Sequence, residues 1–130
     1  MLDTDICIYL TRNRNPQVTA RFERLRPEQL VMSAITYGEL QHGANKSNQR
    51  ERTLSQLEEL IQYIQVESLT AGAAKAYGEI RAALEKQGRV IGNNDLWIAA
   101  HAVTLDVRLA TNNEREFDRI PGLTVENWTK

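Results

Sequence analysis

Apolar and polar positions along this chain follow two different periods, and the switches between them outline its elements. The opening MLDTDICIYL is apolar and β-branched around two aspartates. It reads as a strand running into a turn, with a short helix over 6–10. Asp3, Thr4 and Asp5 all suit the N-cap of that helix, because a short polar side chain can accept from the free N–H groups of a first turn. Residues 17–25 read as helical after Pro16. Residues 30–35 form a short apolar run, expected to be a buried strand. It leads into the helical piece TYGELQHGA, which Gly43 is expected to help end.

The clearest helix covers 50–64, where Leu54, Leu57, Ile61 and Ile64 recur at helical spacing while Glu58, Glu59 and Gln62 face away. A short strand is expected over 64–68. A second strong helix follows over 70–87, with Ala73, Tyr77, Ile80 and Leu84 on one face and Gly88 at its end. Asn93 or Asn94 can cap a helix with a buried body over 96–103. Residues 107–110 read as a strand, TNNERE as a loop or helix start, and 123–125 as a final strand. Strands alternating with helices predict an α/β fold: a three-layer α/β/α sandwich with a mostly parallel central sheet, one domain over 1–130. In such sheets functional groups gather beyond the carboxyl ends of the strands, near a switch in strand order.

Composition narrows the class. The chain has 130 residues, 42% of them hydrophobic and 25% charged, enough for one domain with its own core. No apolar run approaches the roughly 20 residues that span a bilayer. The first residues do not read as a secretory leader, and the lone Cys7 sits between isoleucines. A cytoplasmic protein without a membrane partner is expected. The net charge is −1, yet residues 11–26 carry five arginines against the single acid Glu23. Arg81, Lys86 and Arg89 form a second basic group, and Lys46, Arg50 and Arg52 a third. Such groups bind phosphates through short-range contacts, although solvated helix faces look the same in sequence.

Among the acids, context selects three. Asp3 lies in an apolar segment that disfavours aspartate. Glu39 follows a buried strand, and Asp95 opens a very apolar helix. Each has a plainer reading: a helix cap for Asp3, an exposed helix residue for Glu39, a partner of the helix dipole for Asp95. Carboxylates converging in a partly buried pocket would repel one another, and a hard divalent cation would offset both the repulsion and the burial. Cys7 with His42 or His101 makes a poor nucleophile–base pair. Tyr77 and Trp97, at helical separation from their neighbours, suit a core better than a base-stacking surface. No zinc spacing and no Gly-rich phosphate loop is present.

Four stretches carry a resemblance across essentially the whole chain. LDTDICIYL looks like the LDTNICI opening of the VapC toxins of the PIN-domain family, and SAITYGELQHGA resembles their second strand and following helix. QGRVIGNNDLWIAAHA is similar to the family's QGRPIGxxDxxIAAHA, and LATNNEREFDRIPGLTVENW to its closing LVTNNxREFxRxxGLxxEDW. The resemblance implies a Mg²⁺-dependent endoribonuclease in which Mn²⁺ substitutes, with Asp3 and Asp95 as metal ligands. Glu39 would position or deprotonate the attacking water. Asn113 stands where many PIN domains have a fourth acid, supported by Glu116 three residues on. Asp5 stands where the family usually has asparagine, and either adds negative charge beside the metal or binds a water. Arg12 and Arg14, with Lys86 and Arg89, are expected to steer the RNA.

The resemblance further implies a homodimer that inhibits translation, is neutralised by a VapB-type antitoxin, and reaches operator DNA only through that antitoxin. The closing elements look like the enteric type, which points to tRNA cut at the anticodon stem-loop. Two rivals stay open. One is a PIN-like module that binds RNA or protein with its nuclease disabled by Asn113 and Asp5. The other is a different α/β domain with acids at strand ends, such as a phosphoryl-accepting receiver or a phosphatase.

Overall fold

The computed structural model describes residues 1–130. Residues 1–3 run extended through the middle of a parallel sheet. On one side the Leu2 amide donates to the Val31 carbonyl at 2.9 Å. On the other, Asp3 N donates to the Ala110 carbonyl at 3.0 Å and Ala110 N to the Met1 carbonyl at 2.8 Å. β1 (Val31–Ser33) pairs outward with β2 (Gln65–Glu67), and β3 (Leu109–Thr111) with β4 (Val125–Asn127), all in parallel. The order is therefore β2, β1, residues 1–3, β3, β4. The chain winds one way from the centre, then returns and winds the other way.

Successive strand residues point to opposite faces, and the packing follows that alternation. Leu2, Met32 and Ala110 join one core with Ile6 and Cys7 of α1 (Thr4–Arg12), Val18 of α2 (Pro16–Glu23) and Leu57 of α4 (Arg50–Leu60). Their neighbours Met1, Val31, Leu109 and Val125 join a second core on the other face. There they meet Leu84 of α5 (Ala71–Lys86), the buried stretch of α6 (Asn93–Leu105) and Phe117 of α7 (Glu114–Phe117). Both faces are covered, as the sandwich requires. No helix is long and apolar enough to cross a membrane.

Several boundaries differ from the sequence reading, each for a local reason. The strand expected over 30–35 shrinks to β1 because the Ser33 hydroxyl accepts from Ile35 N at 3.1 Å and starts α3 (Ala34–Asn45) at once. Gly43 does not end α3, which runs on to Asn45; a lone helical glycine only weakens its turn, by about 1 kcal/mol relative to Ala. α4 stops at Leu60, so Ile61 and Ile64 lie in the following turn, where Ile64 is still fully buried. Asn93 and Asn94 are the first residues of α6 rather than its cap; Gly92 holds that position with no side-chain cap. The last two strands begin two residues later than expected. Gly88 does close α5: at φ 65° it lets Arg89 N reach back to the Leu84 carbonyl at 2.9 Å.

Candidate active site

Parallel strands leave all their carboxyl ends on one edge, and the elements that follow them bring the acids there. Asp3 ends the central extended segment and caps α1. Its Oδ1 accepts from Asp5 N at 2.8 Å, and its Oδ2 accepts from the Thr111 hydroxyl at 2.5 Å. The cap does not compete with a role in chemistry, because an ionised carboxylate keeps about four lone-pair sites. Asp3 is 5% exposed. Burial pushes its carboxyl up to about 6, opposed by the Thr111 bond and helped by the charge of Asp5.

Glu39 comes from the second turn of α3. The Thr4 hydroxyl donates to its Oε1 at 2.6 Å and lies 3.3 Å from the hydroxyl of Thr36. Asp95, half-buried in the first turn of α6, is pushed up to about 7. Burial is the largest cause, followed by the charges of Asp3, Glu116 and Glu39. Four acids from four elements thus share one electrostatic neighbourhood, at the point where the strand order switches. Asn113 N donates to the Thr111 hydroxyl at 2.9 Å, and its Nδ2 donates to Glu116 Oε2 at 3.1 Å. Asn113 brings no charge, but it holds a residue that does.

An oxygen-only set in which three acids raise the pKa of the fourth, Asp95, fits a hard cation such as Mg²⁺. No three Asp, Glu, His or Cys side chains close tightly enough to cage an ion among themselves. Mg²⁺ does not need such a cage, since it takes one or two carboxylates and keeps several waters. Asp3 and Asp95, the two carboxyls raised in the fold, are the pair that could hold it.

The sequence reading missed the three threonines. Thr4, Thr36 and Thr111 sit one position beyond an acid, three before one, and at a strand end; only their place beside the acids could have flagged them. Thr111 is fully buried, donating to Asp3 and accepting from Asn113 N. Thr111→Val is expected to cost about 1–3 kcal/mol in urea denaturation at neutral pH, the cost of leaving buried partners unpaired. The hydroxyl favours the ionised carboxylate, so that cost should shrink as pH falls through 6; a pH-independent loss would assign it to packing alone.

The basic residues divide. Arg12 and Arg14 line a groove of about 850 Å³ between α1, α3 and α4 that also takes in Glu39 and Asp5. Lys86, the last residue of α5, and Arg89, in the segment after it, are exposed and do not line it. The Asp5 side chain is exposed at the groove. Cys7 is fully buried, which pushes its thiol up. His101 is also buried, bonded through Nδ1 to the Ser33 hydroxyl at 2.9 Å, and burial lowers its pKa. Neither forms a nucleophile–base pair. Tyr77 and Trp97 stack on each other at 3.8 Å, Tyr77 packing against the second core.

A sequence model described as PIN domain matches residues 1–123, so the chain belongs to the PIN-domain family. Ribonuclease VapC1 of Haemophilus influenzae (strain R2866) is 45% identical over 100% of this chain and 98% of that protein. The tRNA(fMet)-specific endonuclease VapC of Shigella flexneri is 42% identical over 99% and 97%. The crystal structure of VapBC2 from Rickettsia felis, bound to a promoter DNA fragment, superposes with a TM-score of 0.92 at 38% identity, covering 98% of this chain and 97% of that one. Within the PIN family the chain falls among the VapC ribonucleases of toxin–antitoxin systems. The receiver and phosphatase readings are thereby set aside.

Proposed function

We propose that this chain is a Mg²⁺-dependent endoribonuclease toxin that cuts tRNA at the anticodon stem-loop and so inhibits translation. The observation that carries the reading is the meeting of Asp3, Glu39, Asp95 and Glu116 at one edge of the sheet, close enough for each of the others to raise Asp95. When bound, Mg²⁺ or Mn²⁺ would polarise a phosphoryl oxygen and lower the pKa of a water. Asp3 and Asp95 would hold the ion. Glu39, fixed through Oε1 by Thr4, keeps Oε2 to orient the attacking water and take its proton. Asn113 acts by keeping Glu116 turned towards Asp95, and with that charge in place the disabled-nuclease reading loses its main support.

The Shigella relative's specificity for tRNA(fMet) supports tRNA as the substrate. The Rickettsia complex supports a VapB-type antitoxin that silences the toxin and carries it to operator DNA. A homodimer is part of the same reading. Incubating the purified chain with total tRNA and mapping the new ends tests it. The expected result is one cut in initiator tRNA with Mg²⁺ or Mn²⁺, and none in EDTA. Intact RNA with either metal supplied would overturn it.

A further inference from the structure

The groove that opens on the acids has a charge pattern the nuclease reading does not use. α1 and α3 form two of its walls, and each runs from acid to base. Along α1, Thr4 and Asp5 stand at the acidic end and Arg12 at the other, about 12 Å away at 1.5 Å per residue. Along α3, Glu39, His42 and Lys46 share one face at helical spacing, with Lys46 about two turns beyond the acid. Arg14 follows α1, and Arg52 comes from α4, which closes the third side.

None of Arg12, Arg14, Lys46 and Arg52 takes part in an ion pair, although five pairs form elsewhere on the surface. Arg52 only approaches Gln49 at 3.5 Å. Four cations without carboxylate partners, gathered along one polar groove, present a row of sites for a polyanion. The lining is mainly polar, with Gln49, Thr53 and Gln56 between the charges, so hydrogen bonds to sugar and phosphate are available throughout.

We propose that this groove carries the single-stranded stretch of RNA flanking the scissile phosphate, with Lys46 and Arg52 as phosphate contacts alongside Arg12 and Arg14. The inference rests on the nuclease reading for its direction, since the acids at one end fix where the cut phosphate lies. It assigns the role expected of Lys86 and Arg89 to a different pair. An unpaired strand can bend along such a path, and a positively charged groove that tracks the backbone suits it.

The test measures binding of a short labelled single-stranded oligoribonucleotide in EDTA, so that cleavage plays no part. Lys46→Gln with Arg52→Gln should weaken binding roughly tenfold. The variant should also flatten the dependence of log affinity on log salt by about 1.4, at about 0.7 for each phosphate no longer neutralised. Lys75→Gln, an exposed cation of α5 outside the groove, should change neither. Unchanged affinity and slope in the double variant would overturn the proposal. So would unchanged RNA binding with loss of antitoxin co-purification, which would assign the groove to a protein partner. If the double variant loses binding but the parent cuts no RNA with metal present, the groove stands and the nuclease reading falls.

Discussion

Asp95→Asn is expected to lower RNA cleavage by about a hundredfold or more while making the metal-free protein harder to unfold. The first effect follows from removing one of the two carboxylates placed to hold the ion; even groups that only orient metal ligands cost roughly 10–100-fold when removed. The second follows from the sign of the pKa shift. Burial and three neighbouring acids push Asp95 up to about 7, and Asp3 stands near 6. A carboxyl raised in the fold contributes stability that is fully present below its unfolded value near about 4 and is lost as pH rises through the folded one. Without metal, these two groups should therefore make the wild-type fold less stable at pH 8 than at pH 5. The substituted amide would carry no charge at any pH, so the variant should melt higher at pH 8, by roughly 3–5 °C for each kcal/mol recovered. Adding Mg²⁺ should raise the melting temperature of the wild type, because the ion binds only the folded form. It should do little for the variant. A variant that melts lower than the parent at pH 8 in EDTA would contradict the electrostatic account of the site.

Phe117→Ala should produce the largest loss of stability. Phe117 is fully buried in the second core with Leu96, Leu109 and Ile120. Removing a buried aromatic ring costs about 3–5 kcal/mol, a large share of the roughly 5–15 kcal/mol typical of a whole fold. The effect should reach the site as well. α7 has four residues and no side-chain cap, so this ring is its main anchor, and Glu116 stands immediately before it. Urea denaturation should show the loss in the midpoint, and Phe117→Leu should recover much of it. A midpoint shift worth less than about 1 kcal/mol would mean that α7 is held by something other than its aromatic side chain.

The parts of this molecule that were legible in the sequence are those written as a repeating pattern. α5 reads directly from Ala73, Tyr77, Ile80 and Leu84, and its end from Gly88. Asp3 and Asp95 were legible because each breaks an apolar stretch, whereas Glu39 was marked only by its place after a buried strand. The sheet was harder, since each strand is three residues long and passes at once into a helix or turn. Ser33 shows why: a hydroxyl suited to capping looks like a tolerated polar residue in an apolar run until its bond to Ile35 N is seen. The threonine bonds depend on contacts between residues as far apart as Thr111 and Asp3. Lys46 and Arg52 stood out as a basic group, yet only the packing of α3 on α4 turns them towards Glu39.

The central place of residues 1–3 in the sheet bears on when the acidic site can first form during synthesis. Asp3 is translated almost first, but the strand and the hydroxyl that fix it, Ala110 and Thr111, emerge more than a hundred residues later. Pairings this distant in sequence form late in folding. A chain cut short before β3 should therefore leave its acids unassembled and, on the proposed mechanism, should cut no RNA.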